Sequence, residues 1–133
     1  TATLNGERID VQAEVKDGYL SIDRTWSEGD TLELDLAIEP RRVYAHPNVA
    51  SASGKTALHY GPLVFCLEGV DHDSPVRSLA LARHTKLTAR PDERTGTVTL
   101  HAAASAPISM PELYAATVPE SRAEELTAVP YFS

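Results

Sequence analysis

The sequence predicts an all-β chain of antiparallel, β-sandwich type, jelly-roll-like and made of parts of two small sandwiches. Three observations carry this. Apolar residues recur with period two, short candidate strands follow one another every 8 to 12 residues, and Gly and Pro punctuate the gaps between them. Evidence for helices is thin by comparison, and no repeat of solenoid period is visible.

The elements follow in order. Asn5-Gly6 marks a turn between Ala2-Thr3-Leu4 and Arg8-Ile9-Asp10-Val11, and Asp17-Gly18 marks the next. Leu20, Ile22 and Trp26 share one phase of a strand, which puts Trp26 on the core side. Ser27-Glu28-Gly29-Asp30 has the composition of a hairpin turn. Beyond it, Leu32, Leu34, Leu36 and Ile38 alternate with Glu33, Asp35 and Ala37, the pattern of a strand with one face on a core and one in water. A strand from Arg41 to His46 ends at Pro47, and a small polar loop runs from Asn48 to Gly54.

Thr56–Tyr60 and Leu63–Glu68 come next, separated by Gly61-Pro62. The second is apolar on both faces, as in a central strand. Pro62 cannot donate to a ladder, so it belongs at a strand start or bulge. After the loop Asp71–Pro75, alternation returns in Ser78–Leu81 and again at Val98, Leu100 and Ala102, beyond a turn from Pro91 to Gly96. Leu113–Val118 and Leu126–Phe132 are the last candidate strands. Ser121–Glu125 fits one helical turn, with Ser121 as cap and Glu124 in the box position, and fits a polar loop equally well. These elements divide the chain into residues 1–46, finishing one sandwich, 47–125, most of a second, and 126–133, a strand returning toward the first.

Composition narrows the functional classes. The chain has 133 residues, 42% of them hydrophobic and 23% charged, enough for a core and unlike a disordered segment. The net charge of -7 is dispersed and argues against nucleic acid or an anionic membrane surface as a partner. No apolar run approaches the roughly 20 residues of a membrane span. The one cysteine, Cys66, excludes an intrachain disulfide and a thiolate zinc cluster built from this chain alone. A cytoplasmic location fits slightly better than secretion. Thr1–Gly6 carries neither an initiator Met nor a signal pattern, and Pro130–Ser133 stops straight after an apolar run. The expectation is a piece of a longer chain, with exposed sheet edges or apolar patches.

The candidate chemistry is sparse. Glycosidases commonly use two facing carboxylates, and 19 acidic residues guarantee apparent pairs. Glu28 and Asp30 fall in a turn, and Glu33 and Asp35 fall on a polar strand face, so solvated carboxylates are the expectation. Glu68 ends the most apolar strand, with Asp71 and Asp73 close behind, and should find a partner in Arg41 or Arg42. His46, His59, His72, His84 and His101 lack the close spacing of metal-binding pairs. Cys66 reads as a small buried hydrophobe. Tyr44 and Tyr60 are the aromatics best placed for exposure. No residue is assigned as catalytic, cofactor-binding or metal-binding.

Several segments resemble the C-terminal β region of the bacterial β-L-arabinofuranosidase family, glycoside hydrolase family 127. They are Asn5-Gly6; Gly18–Trp26 with Gly29-Asp30; Arg41–Pro47; Gly54–Leu58 followed by Gly61–Glu68, the most specific stretch; and Leu126–Phe132. Residues 74–125 match loosely. The resemblance implies a parent glycosidase whose helical (α/α)6 barrel holds a cysteine nucleophile near zinc and a glutamate acid/base, all upstream of this chain. Nothing here matches them, and Cys66 does not match the nucleophile's motif, so zinc is implied for the parent's catalytic domain only. The implied role is an accessory β region that braces the barrel. The alternatives are an independent carbohydrate-binding module and an oligomerisation or interaction domain, with the barrel, a second copy or a carbohydrate as partner.

Overall fold

The computed structural model describes residues 1–11, 15–94, 96–108 and 112–131. The all-β class holds: the sheets are antiparallel, and no helix among the described residues reaches seven residues. The chain forms two compact units, residues 1–38 and 39–133.

In the first unit, β1 (Ala2–Leu4) lies between β2 (Glu7–Ile9) and β5 (Leu32–Leu34). A separate ribbon pairs β3 (Val15–Lys16) with β4 (Tyr19–Leu20). Both hairpins close on two-residue turns with positive φ at both positions, Asn5 at 52° with Gly6 at 82°, and Asp17 at 51° with Gly18 at 84°. That is the mirror-image turn whose twist matches antiparallel strands, and Asn-Gly and Asp-Gly are the dipeptides that tolerate it. Register fixes the faces of the three-stranded sheet. Ala2 opposes Ile9 and Leu34, and Leu4 opposes Leu32 and Glu7, so one face is apolar except for Glu7 beside the turn. Thr3, opposite Arg8 and Glu33, lies on the polar face.

The second unit is a six-stranded sheet curled into a half-barrel, in the order β6 (Pro40–Tyr44), β7 (Thr56–Tyr60), β8 (Leu63–Cys66), β11 (Ser121–Pro130), β10 (Thr97–Pro107) and β9 (Thr88–Asp92). Its core gathers Leu58, Phe65, Leu100, Ala102, Ala104, Leu126 and Ala128 from four strands. Leu67, Leu81 and Leu87, from the long connection between β8 and β9, pack against the same cluster. That connection holds two single-turn 3-10 helices, Gly69–Asp71 and Val76–Ser78.

Several expectations change. The boundary falls between Ile38 and Glu39, not after His46, because Pro40–Tyr44 pairs along its whole length with Thr56–Tyr60. The last strand does not return to the first unit. It pairs with Thr97–Pro107 and with Cys66 and Phe65, inside the second. Ser121–Glu125 is neither a helical turn nor a loop but the first half of that strand. The turn at Ser27–Asp30 is real, closed by Asp30 N–H donating to Ser27 O at 3.1 Å, but it joins no hairpin: β4 pairs with β3, and β5 with β1. Trp26 is 49% exposed, since the strand of its phase ends at Leu20. Leu34 and Leu36, expected on a core, are 52% and 67% exposed. Leu113–Val118 forms no strand, and Ser78–Leu81 contributes a single bridge, Ala80 to Ser105. Phe132 lies outside the described residues.

Candidate functional site

Three side-chain clusters stand out. In the first unit, Asn5 is held by its turn so that its amide reaches the Ser27–Asp30 loop. Asn5 Nδ2 donates to Asp30 Oδ1 at 2.8 Å, and Thr31 N–H donates to Asn5 Oδ1 at 2.8 Å. Asp30 also accepts from Ser27 N–H at 2.8 Å and pairs with Arg24 at 3.2 Å. Arg24 in turn lies 5.3 Å from the Trp26 ring centroid, in cation–π range. The Ser27 backbone donor, then Asn5, then Arg24 hold the Asp30 carboxyl below its ordinary pKa. Every polar atom named here is spent on another, so the cluster ties two turns together.

The second cluster covers an edge. β8 pairs with β11 at Val129 and Pro130 only, which leaves the outer edge of β11 near Glu124–Thr127 without a strand beside it. The loop after Gly69–Asp71 fills that place through side chains. Glu124 Oε1 accepts from Asp73 N–H and Ser74 N–H, each at 3.1 Å, and Glu124 Oε2 accepts from the Ser74 hydroxyl. Arg122 donates to Ser74 Oγ at 3.0 Å. Thr127 N–H donates to His72 Nε2 at 3.1 Å, and His72 Nδ1 lies 2.7 Å from Glu68 O, so Nδ1 carries the proton. The Ser74 hydroxyl is the largest influence holding Glu124 below the usual carboxylate range.

The third cluster lies on the outer face of β9, β10 and β11, in a shallow cleft of about 420 Å³ lined by Lys86, Thr88, Arg90, His101, Ala103 and Glu125. Arg90 Nη2 donates to Glu125 Oε1 at 2.7 Å, and Arg90 Nη1 lies 3.2 Å from His101 Nδ1. Burial first, then Arg90, pushes the His101 pKa down.

Residues singled out from the sequence do not converge. Glu33 and Asp35 accept from Thr3 and Thr1 hydroxyls across the polar face of the first sheet. Arg42 does not serve Glu68. Its guanidinium donates to the carbonyls of Ala82 and Thr85 in the β8–β9 connection. Cys66 is half-buried, and burial, then the charge of Glu68, raises its pKa, which is the reverse of an activated nucleophile. Among the described residues, no three His, Cys, Asp or Glu side chains come together as metal ligands. Sequence reasoning missed Glu124 and Ser74. The signal was available: the period of Leu126 and Ala128 runs back through Glu124 and Arg122, which places a carboxylate in the core phase of a strand.

Comparison with known proteins resolves what such a chain is. Residues 40–133 match the glycoside hydrolase family 127 C-terminal domain, and residues 1–38 match the β-L-arabinofuranosidase GH127 middle domain. The chain belongs to glycoside hydrolase family 127. The two matches meet where the structure divides the chain. A non-reducing end β-L-arabinofuranosidase from Bifidobacterium longum subsp. longum is 34% identical over 84 residues, 62% of this chain and 12% of that protein. The crystal structure of a GH127 β-L-arabinofuranosidase from Geobacillus stearothermophilus T6 superposes with a TM-score of 0.85 at 36% identity, covering 98% of this chain and 21% of that one. A second GH127 β-arabinofuranosidase structure gives 0.81 at 33%, covering 98% and 20%. This family 127 chain therefore spans about a fifth of the length of its solved relatives, across parts of two of the family's domains.

Proposed function

We propose that this chain is a non-catalytic accessory β region of a family 127 glycoside hydrolase, and that it braces the enzyme's helical catalytic barrel. The observation that carries this is the one-sided sheet of the first unit. Its apolar face ends in Leu32 and Leu34, 37% and 52% exposed, and Leu36 and Ile38 beyond the strand are 67% and 40% exposed. A sheet face of this kind is built to be covered. Covering a half-exposed Leu contributes about 1 kcal/mol at roughly 25 cal/mol per Å². The clusters around Asp30 and Glu124 support the same reading, since their carboxylates are committed to turns and loops.

Two measurements test it. The purified chain should leave an aryl β-L-arabinofuranoside unhydrolysed, and turnover by the homogeneous chain would overturn the reading. The chain should also co-purify with a family 127 helical barrel expressed as a separate polypeptide, and Leu34→Lys should abolish that association. Equal capture of wild type and L34K would remove the bracing role.

A further inference from the structure

We propose that His101 is a pH-sensitive latch that fastens the edge strand β9 to the six-stranded sheet. The geometry fixes its working state. Arginine only donates hydrogen bonds, so Arg90 Nη1, 3.2 Å from Nδ1, requires that nitrogen to be an unprotonated acceptor. Nε2 then carries the proton and donates to Thr99 Oγ1 at 2.8 Å. In the neutral imidazole both ring nitrogens are engaged, Nδ1 by Arg90 and Nε2 by Thr99. A proton on Nδ1 points an N–H at the N–H of Arg90 and puts two cations side by side.

The groups around the ring come from three strands. Arg90 belongs to β9, where Thr88 Oγ1 also donates to His101 O at 3.3 Å. Thr99 lies on the same strand as His101. From β11, Thr127 Oγ1 lies 3.4 Å from Nδ1, and Glu125 Oε1 lies 3.5 Å from it. Lys86 lines the same cleft and adds positive charge. The His101 side chain is 12% exposed, so water replaces few of these contacts. Glu125 is the one acceptor shared by Arg90 and His101. When the ring is charged it competes for the carboxylate that holds Arg90, and β9 loses the Arg90 tether while keeping the Thr88 bond. Among the described residues β9 has no strand on its other side, so this tether adds to its ladder with β10, the Thr88 bond and the packing of Ala89 on the core in holding it. Release exposes the backbone of β10 from Thr97 to His101 as a sheet edge.

The direction follows from linkage. A histidine whose folded pKa is lowered contributes stability that is complete above its unfolded value, near 6.5, and is lost as pH falls toward the folded value. The test is native-state amide exchange of the full chain by NMR, corrected for intrinsic rates, from pH 7.5 to 5. Protection of the β9 amides that bond to β10 should fall by up to about tenfold per pH unit below about 6.5. His101→Gln keeps an acceptor for Arg90 and a donor for Thr99 without a titrating proton, and should flatten the profile. The His101 ring, followed by its own NMR titration, should titrate lower in Glu125→Gln and higher in Arg90→Gln, while β9 protection in Arg90→Gln, which lacks the tether, should be low and no longer follow this titration. Protection of β9 that does not change with pH, or a pH dependence retained in H101Q, overturns the latch. So does a His101 ring titration that E125Q and R90Q leave in place.

Discussion

Single carboxylates carry much of the local order in this chain. Asp30 and Glu124 both accept backbone and side-chain hydrogen bonds, and both are held below the ordinary carboxylate range. The unfolded chain therefore takes up protons before the native one as the solution is acidified. The stability these groups contribute is complete above their unfolded values, near 4, and is lost as pH falls through their folded values. Urea midpoints measured from pH 6 down to pH 3 should fall. In Glu124→Gln, which cannot titrate, the part of that fall belonging to the second unit should shrink, while the amides of Asp73 and Ser74 exchange faster at neutral pH. The sequence placed Glu124 in the box position of a helical turn, but the structure puts it in β11, where it accepts from the Asp73–Ser74 loop. Asp30 was visible as a turn residue, but its partners Asn5 and Arg24 lie 25 and 6 positions away, and such convergence is a property of the fold. His101 was one of five histidines without a motif, and its meaning comes from β9 and β11 on either side.

At the scale of elements, short-range chemistry was legible and pairing was not. The Asn5-Gly6 and Asp17-Gly18 turns are stated outright by their dipeptides, and the ladders Leu4–Glu7 and Lys16–Tyr19 follow from them. Gly61-Pro62 ahead of β8 and the alternation in β10 were equally plain. The failures came where local pattern leaves the partner open. Ser27–Asp30 has turn chemistry, but its flanking strands pair elsewhere. Ser121–Glu125 has the composition of a cap and charged turn, yet the long ladder from Leu100–Ala128 to Pro107–Ser121 overrides that preference. The hairpin reading of the first unit makes a prediction of its own. Gly6 sits at φ 82° with open space around its missing Cβ, so Gly6→Ala costs backbone strain alone, about 1 kcal/mol. Amide exchange should report it as roughly fivefold weaker protection in β1 and β2, with β10 and β11 untouched.

The whole molecule is two units of unequal strength. Among the described residues, Ala2 is the sole buried apolar side chain within residues 1–38, whereas the sheet of residues 39–133 encloses a contiguous cluster with Leu100 and Ala128 at 0% exposure. Exchange should therefore be slowest in β10 and β11 and faster in β1, β2 and β5 by orders of magnitude, and a first unit as protected as the second would contradict this ranking. The sequence placed the division near residue 46, where Pro47 ends the expected strand and a small polar loop follows. The true division at Ile38–Glu39 has no Gly-rich or Ser-rich marker. It is set by Pro40–Tyr44 finding a partner 16 residues downstream, at Thr56–Tyr60. The alternation was correct that Leu32 and Leu34 share a face and silent about what covers it, and the strand ends at Leu34, short of Leu36 and Ile38. A lone sequence encodes the face and not the surface that would cover it.

The clamp on Asn5 has a consequence for chemical ageing. Asparagine followed by glycine is the dipeptide most prone to lose its side-chain amide, because the unhindered glycine nitrogen can close onto the carbonyl carbon as a cyclic imide. Here the carbonyl oxygen is fixed by Thr31 N–H and the amide nitrogen by Asp30. Turning the group toward Gly6 gives up both bonds, so deamidation at Asn5 should be slower in the folded chain than in the unfolded one. Once lost, the damage would persist on refolding, since an aspartate at position 5 would face the Asp30 carboxylate where a donor is needed.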